Sequence, residues 1–240
     1  MSRSNQNEGK KHPSSRWFEW SSKLKTLYYW DGEKRENISI ELPFTFLVLD
    51  QLNTIGGFHN EDNSKIFANE VRNLKTEPLN IRTHKRQLTT AFYDEVKGHK
   101  DYRFTKSIYV AFYDDEELKI GNIKLLGSAF SAWADFSKEN NVLEGAITIT
   151  TAEKRKNKAI EFFVPKFTIK KSVSEETEAK AMELDKVLQA YLNSYFEENG
   201  VDEQEMKLTA PKDDLVPQWT PPKDESPFAK QEEDYDDIPF

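Results

Sequence analysis

Short alternating strands, a strongly amphipathic helix near the end and an abrupt change to acidic, proline-rich sequence predict a mainly β chain with added helices. The expected architecture is an OB-like β-barrel, followed by a C-terminal amphipathic helix and a disordered acidic tail. Along the chain this divides into a flexible basic arm over 1–16, a domain over 17–199 that includes a helix at 175–199, and a tail over 200–240.

Each element has its own signal. "RWFEWSSKLKTLYYW", a turn at "DGEKRE" and "NISIELPFTFLVL" predict a hairpin or meander over 17–49, with "NTIGGFHNEDN" a loop. Alternation resumes in "SKIFANEV" and in "LNIRTHKR", where Leu79, Ile81 and Thr83 face one way and Arg82, His84 and Arg86 the other. "QLTTAFYDEVKG" predicts a short helix. "YRFTKSIYVAFY", the acidic turn "DDEE" and "LKIGNIKLL" predict a hairpin, and Phe130, Trp133 and Phe136 have helical spacing. "GAITITTAEKRKNKAIEFFVPKFTIKK" predicts a second hairpin, turned at a basic tip.

The last helix opens on a cap at Ser172 or Ser174, with Glu175, Glu176 and Glu178 near the positive end of its dipole. Leu184, Val187, Leu188, Tyr191, Leu192, Tyr195 and Phe196 make its apolar stripe, and Gly200 ends it. Six of the ten prolines then fall within 211–239, where apolar periodicity stops.

The 240-residue chain has no cysteine, which excludes disulfides, thiol nucleophiles and cysteine-based metal sites. Its N-terminal sixteen residues lack the apolar stretch of a signal peptide, and no run is long enough to cross a bilayer, so a cytoplasmic location is expected. The formal net charge of −8 is unevenly spread. Residues 200–240 hold twelve acids and four lysines, 175–199 hold seven acids and two lysines, and 1–174 carry an excess of five cations. A basic body with an acidic appendage points to nucleic acid.

No enzyme is expected. His12, His59, His84 and His99 have no metal-ligand spacing, no phosphate-binding loop or G-x-S-x-G occurs, and the cluster Asp114–Glu117 reads as a turn. No metal or cofactor is expected either.

The chain closes on "DYDDIPF", in which Asp234, Asp236, Asp237, Ile238, Pro239 and Phe240 resemble the C-terminal tip of bacterial single-stranded-DNA-binding proteins. In that family the tip docks replication, recombination and repair proteins. Some bacteriophage members likewise combine an OB fold with an acidic tail ending in an aromatic residue. The resemblance implies a cytoplasmic protein of a bacterial cell, phage-infected or not, that binds single-stranded DNA without sequence preference and recruits partner enzymes through its tip. It departs from the family in having only nine glycines and no glycine-rich linker. It carries over no DNA-contact residue.

Those contacts must be argued from cations and stacking rings. The candidates are Lys23, Lys25 and Tyr29, which share a face with Leu27, while Tyr28 and Trp30 share the other with Leu24. Further candidates are Arg82, His84 and Arg86, then Arg103, Tyr109 and Tyr113 opposite Ile108, Val110 and Phe112, and a basic turn at Lys154, Arg155 and Lys156. Two other functions fit the same residues: an interaction protein that fills the partner pockets without binding DNA, and a metal-dependent nuclease. The sequence does not separate DNA from RNA.

Overall fold

A computed structural model describes residues 12–158 and 160–198 of the chain. The tail 200–240 and the tip Asp234–Phe240 lie outside them, as do residues 1–11 of the arm. The chain divides into two compact units, 1–191 and 192–240, and the described part of the second is the end of one helix, 192–198.

The first unit is mainly β. A meander of β1 (Arg16–Ser21), β2 (Thr26–Asp31) and β3 (Glu36–Ser39) leads into the long strand β4 (Phe44–His59). Then follow β5 (Ser64–Phe67), β6 (Leu79–Arg82), β7 (Gln87–Ala91) and the single turn α1 (Tyr93–Val96). The hairpin of β8 (Tyr102–Asp114) and β9 (Glu117–Leu126) precedes helix α2 (Gly127–Glu139). The hairpin of β10 (Ala146–Asn157) and β11 (Ile160–Lys170) precedes helix α3 (Glu175–Glu198).

All eleven strands belong to one sheet, ordered β3-β2-β1-β9-β8-β4-β5-β6-β7, with β10 joining the free side of β4 and β11 joining β10. The β1–β9 pair is parallel and the other pairs are antiparallel. β4 is the branch point. Its start pairs β10, its end pairs β5, and its length pairs β8 across a bulge between Val48 and Asp50. Strand pairing does not close the sheet, yet β11 bends back onto the β1–β2 turn. There the Trp20 indole N–H donates to the Phe163 carbonyl (2.9 Å) and the Phe163 N–H donates to the Ser22 hydroxyl (2.8 Å).

The main core lies on one face of this curl, where Phe18, Leu27, Phe46, Ile108, Val110, Phe112, Ile123 and Ile147 meet Ala129 and Trp133 of α2. Its rings interlock at angles, as Phe18 does with Phe112 at 5.0 Å. Gly121 is required by this packing, because a Cβ there would stand 2.8 Å from Phe112 and 2.9 Å from Phe18. A second core of Ile55, Ile66, Val71, Leu79 and Ile81 holds β5–β7.

The opposite face of β4 and β8 is covered as well. Ala181 and Leu184 of α3 pack on Leu47 and Ala111, and Asp50 receives a two-pronged ion pair from Arg72 (3.0 and 3.2 Å) and a hydrogen bond from Gln189 (3.1 Å). Ser174 caps α3, accepting from the Thr177 N–H at 3.2 Å.

Several expectations differ from this architecture. The stretch 17–30 is two strands with a tight turn at 22–25, where Lys25 has φ 61°. In "LNIRTHKR" only 79–82 is strand, because Thr83 and Arg86 close a turn on each other. "QLTTA" pairs with β6, where threonine suits a strand, and only Tyr93–Val96 is helical. The basic arm ends earlier than expected, since Ser15 is bonded to Ile120 and His12 is packed among rings. Val187 is 56% exposed and drops out of the α3 stripe.

Candidate nucleic-acid interface

Trp17 and Trp30 sit one residue beyond the Phe18–Tyr29 pair on β1 and β2. Phe18 turns into the core, so strand alternation sends both tryptophans out from the other face. They are 46% and 57% exposed. Large rings displayed in this way are the unusual feature, since most aromatic residues on strands pack inward. Tyr28 lies on the same face, its hydroxyl donating to Glu19 at 2.8 Å. Glu19 is opposite Lys124 of β9, which forms no ion pair among the described residues. Exposed Lys34 and Arg35 occupy the β2–β3 turn beside Trp30, again with no ion pair among the described residues.

A wall of buried polar groups borders this face. The His12 ring lies 5.1 Å from Trp17, 5.9 Å from Tyr109 and 4.8 Å from Tyr191. Glu70 accepts from the Tyr109 and Ser107 hydroxyls, each at 2.6 Å, and the Asn122 amide donates to Ser107 at 2.7 Å. Burial pushes the His12 pKa down. Nearby Glu70 opposes that shift and Lys124 adds to it.

The expected contact residues fall on several elements. Tyr109 is a correction: at 1% exposure and bonded to Glu70, it has no face for a base. The face of β8 that holds it is covered by α3 and the segment around Glu70, which strand alternation alone does not reveal. Tyr29 is a correction too, since its ring packs edge-on against Phe18 and lies under the Arg16 guanidinium, 4.4 Å away. His84 and Arg86 belong to a turn rather than to a strand face with Arg82. His84 sits edge-on to Phe67, and Arg86 is paired with Asp62 at 3.2 Å, which holds the Asp62 carboxyl below its usual pKa. Arg82 is exposed on β6.

Lys154, Arg155 and Lys156 stand on β10, not at the hairpin tip. Lys154 pairs with Glu161 at 2.6 Å and Arg155 with Glu153 at 3.4 Å. Two of the expected basic groups do come together, because Lys154 is opposite Phe163 in the β10–β11 ladder and the Lys25 ammonium lies 4.3 Å over the Phe163 ring. Lys23 is exposed in the same β1–β2 turn as Lys25. Arg103 donates to the backbone carbonyl of Tyr102, and Tyr113 is half exposed with its hydroxyl 3.0 Å from that of Thr177.

Sequence reasoning missed Trp17 and did not choose Trp30, Lys34, Arg35 or Lys124 as contacts. The available signal was the odd–even pattern of "RWFEW": once Phe18 is core, Trp17 must face out.

Among the described residues no helix is long and apolar enough to cross a membrane, and no three His, Asp or Glu side chains gather as a metal site. Comparison of the chain with protein-family models, with curated proteins and with solved structures finds no match.

Proposed function

We propose that the folded part binds single-stranded DNA without sequence preference, on the face of β1 and β2 that displays Trp17 and Trp30. The single observation that carries this reading is the pair of outward tryptophans on neighbouring strands. Flat rings accept any base, and each stacked base contributes about 1–3 kcal/mol. Lys124, Lys34 and Arg35 supply cations for phosphates around them. At the far end of the hairpin, about 13 Å along β2, the Lys23–Lys25 turn extends the basic track. An incompletely closed sheet curling around one core, with β11 bent back to β1, supports an OB-like fold, and such folds bind single strands on their sheet face.

Recruitment of replication or repair enzymes through Asp234–Phe240 rests on the sequence resemblance alone. An apolar ring preceded by acids suits an apolar pocket with a basic rim.

Titration of labelled oligo-dT, duplex DNA and oligo-U at low and high salt tests the reading. The expected result is tight oligo-dT binding that weakens steeply with salt and far weaker duplex binding. No binding to any single strand rejects it in favour of an interaction protein that fills partner pockets through its tip without binding DNA. Magnesium-dependent loss of the substrate would indicate a nuclease.

A further inference from the structure

On the opposite side of the sheet from the tryptophans, α2, the segment after it and the strands β4 and β8 line an open depression of about 470 Å³. Gln51 and Lys106 are on its floor, Phe130 and Trp133 on one wall, and Lys138 and Asn141 at the rim. That volume is within the roughly 300–1,000 Å³ of small-ligand pockets.

The floor is built to present donors. The Asn53 side-chain amide donates to the Arg72 carbonyl (2.9 Å), which turns its oxygen toward Lys106, whose ammonium donates to it at 3.0 Å. The remaining N–H groups of Lys106 have no partner among the described residues. The Trp133 indole N–H donates to the Gln51 side-chain oxygen at 3.1 Å, which leaves the Gln51 NH2 as the outward group. Lys106 is half-buried and forms no ion pair among the described residues. Burial lowers its pKa, and the charge of Asp50 only partly opposes this. A cation sheltered from water without an anion is costly, and a bound anion relieves that cost.

We propose that this depression binds one nucleotide, its phosphate against Lys106 and Gln51 and its base against Phe130. A phosphate matches the converging N–H donors, and the partly exposed Phe130 ring offers a surface to a base. The site is separate from the β1–β2 face and does not depend on binding there. The nucleotide is either free in solution or one unit of a strand, and the experiment distinguishes the two.

Calorimetric titration with dTMP, thymidine and a dT oligonucleotide compares the full chain with three variants. Wild type is expected to bind dTMP at least about tenfold more tightly than thymidine, as a charge-assisted contact requires. Lys106→Met, which keeps the apolar stem, should lose dTMP binding. Gln51→Glu should lose it too, since its carboxylate still accepts from Trp133 but pairs with Lys106 and repels phosphate. The double variant Trp17→Ala/Trp30→Ala should retain it, whatever becomes of oligonucleotide binding. Thermal melts of each variant confirm folding. If Lys106→Met also weakens the oligonucleotide, the nucleotide is part of a strand; if only dTMP is lost, it is a free ligand. Absence of dTMP binding to wild type, equal binding of thymidine, or unchanged binding in both Lys106→Met and Gln51→Glu would overturn the proposal.

Discussion

Trp17 on β1 and Trp30 on β2 project from the same face of one hairpin, each a single residue beyond the Phe18–Tyr29 pair, and both are about half exposed. Their neighbours in that pair point the other way, with Phe18 fully buried. The core therefore positions the outward rings.

Removing these rings should reduce DNA binding and spare the fold. Trp17→Ala and Trp30→Ala are each expected to weaken oligo-dT by about 1–3 kcal/mol, or roughly 5- to 150-fold. Thermal melts should change little, because neither ring is in the core. Parallel titrations and melts of both variants check this, and a large loss of stability with intact affinity would contradict it.

The salt dependence should follow the cations beside the rings. With Lys34, Arg35 and Lys124 all changed to Ala, the slope of log affinity against log salt should flatten by about 2, at roughly 0.7 per phosphate contact on a single strand. Changing Arg86 to Ala should leave the slope unaltered, since its guanidinium is already held by Asp62. Titrations at four salt concentrations read both slopes.

Tyr109→Phe should affect stability and not DNA. The change removes the 2.6 Å hydrogen bond to Glu70 inside a buried network, leaving a carboxylate oxygen without that partner. A loss of about 1–3 kcal/mol is expected in denaturant unfolding. Oligo-dT affinity should match wild type, which a true stacking residue would not allow.

The packing of His12 should make stability depend on pH. Its folded-state pKa is lowered by burial from the ordinary 6.5, so the unfolded chain binds the proton more readily. The native contribution of the neutral ring is complete above pH 6.5 and is lost as pH falls from there through the lower folded value. His12→Phe keeps a ring against Trp17 and Tyr191 and removes the titration. Melting temperatures recorded between pH 5 and 8 should therefore slope less in the variant than in wild type.

Local signals carried much of the strand and helix pattern. Alternation marked the β8–β9 hairpin and its acidic turn, aromatic spacing marked α2, and the Ser174 cap with its following acids marked the start of α3. What sequence could not supply was the number of covered faces. The β8 sheet has α2 on one side and α3 on the other, so Tyr109, polar-tipped and opposite an apolar row, is buried on the second face. The same limit exchanged Tyr29 for Tyr28 and Trp30. Lys23 and Lys25 suggested that their side of β2 faced water, whereas both lysines belong to a turn and do not mark a strand face. Pairings such as Arg86 with Asp62 join residues 24 positions apart, so a run of cations in sequence did not show which of them were already neutralised.

Photo-cross-linking to an oligonucleotide bearing 5-iodouracil, followed by peptide mapping, tests the central claim most directly. Adducts at Trp17 and Trp30 are the predicted result. Efficient cross-linking confined to other segments, such as 79–86 or 154–156, with neither tryptophan modified, would contradict it.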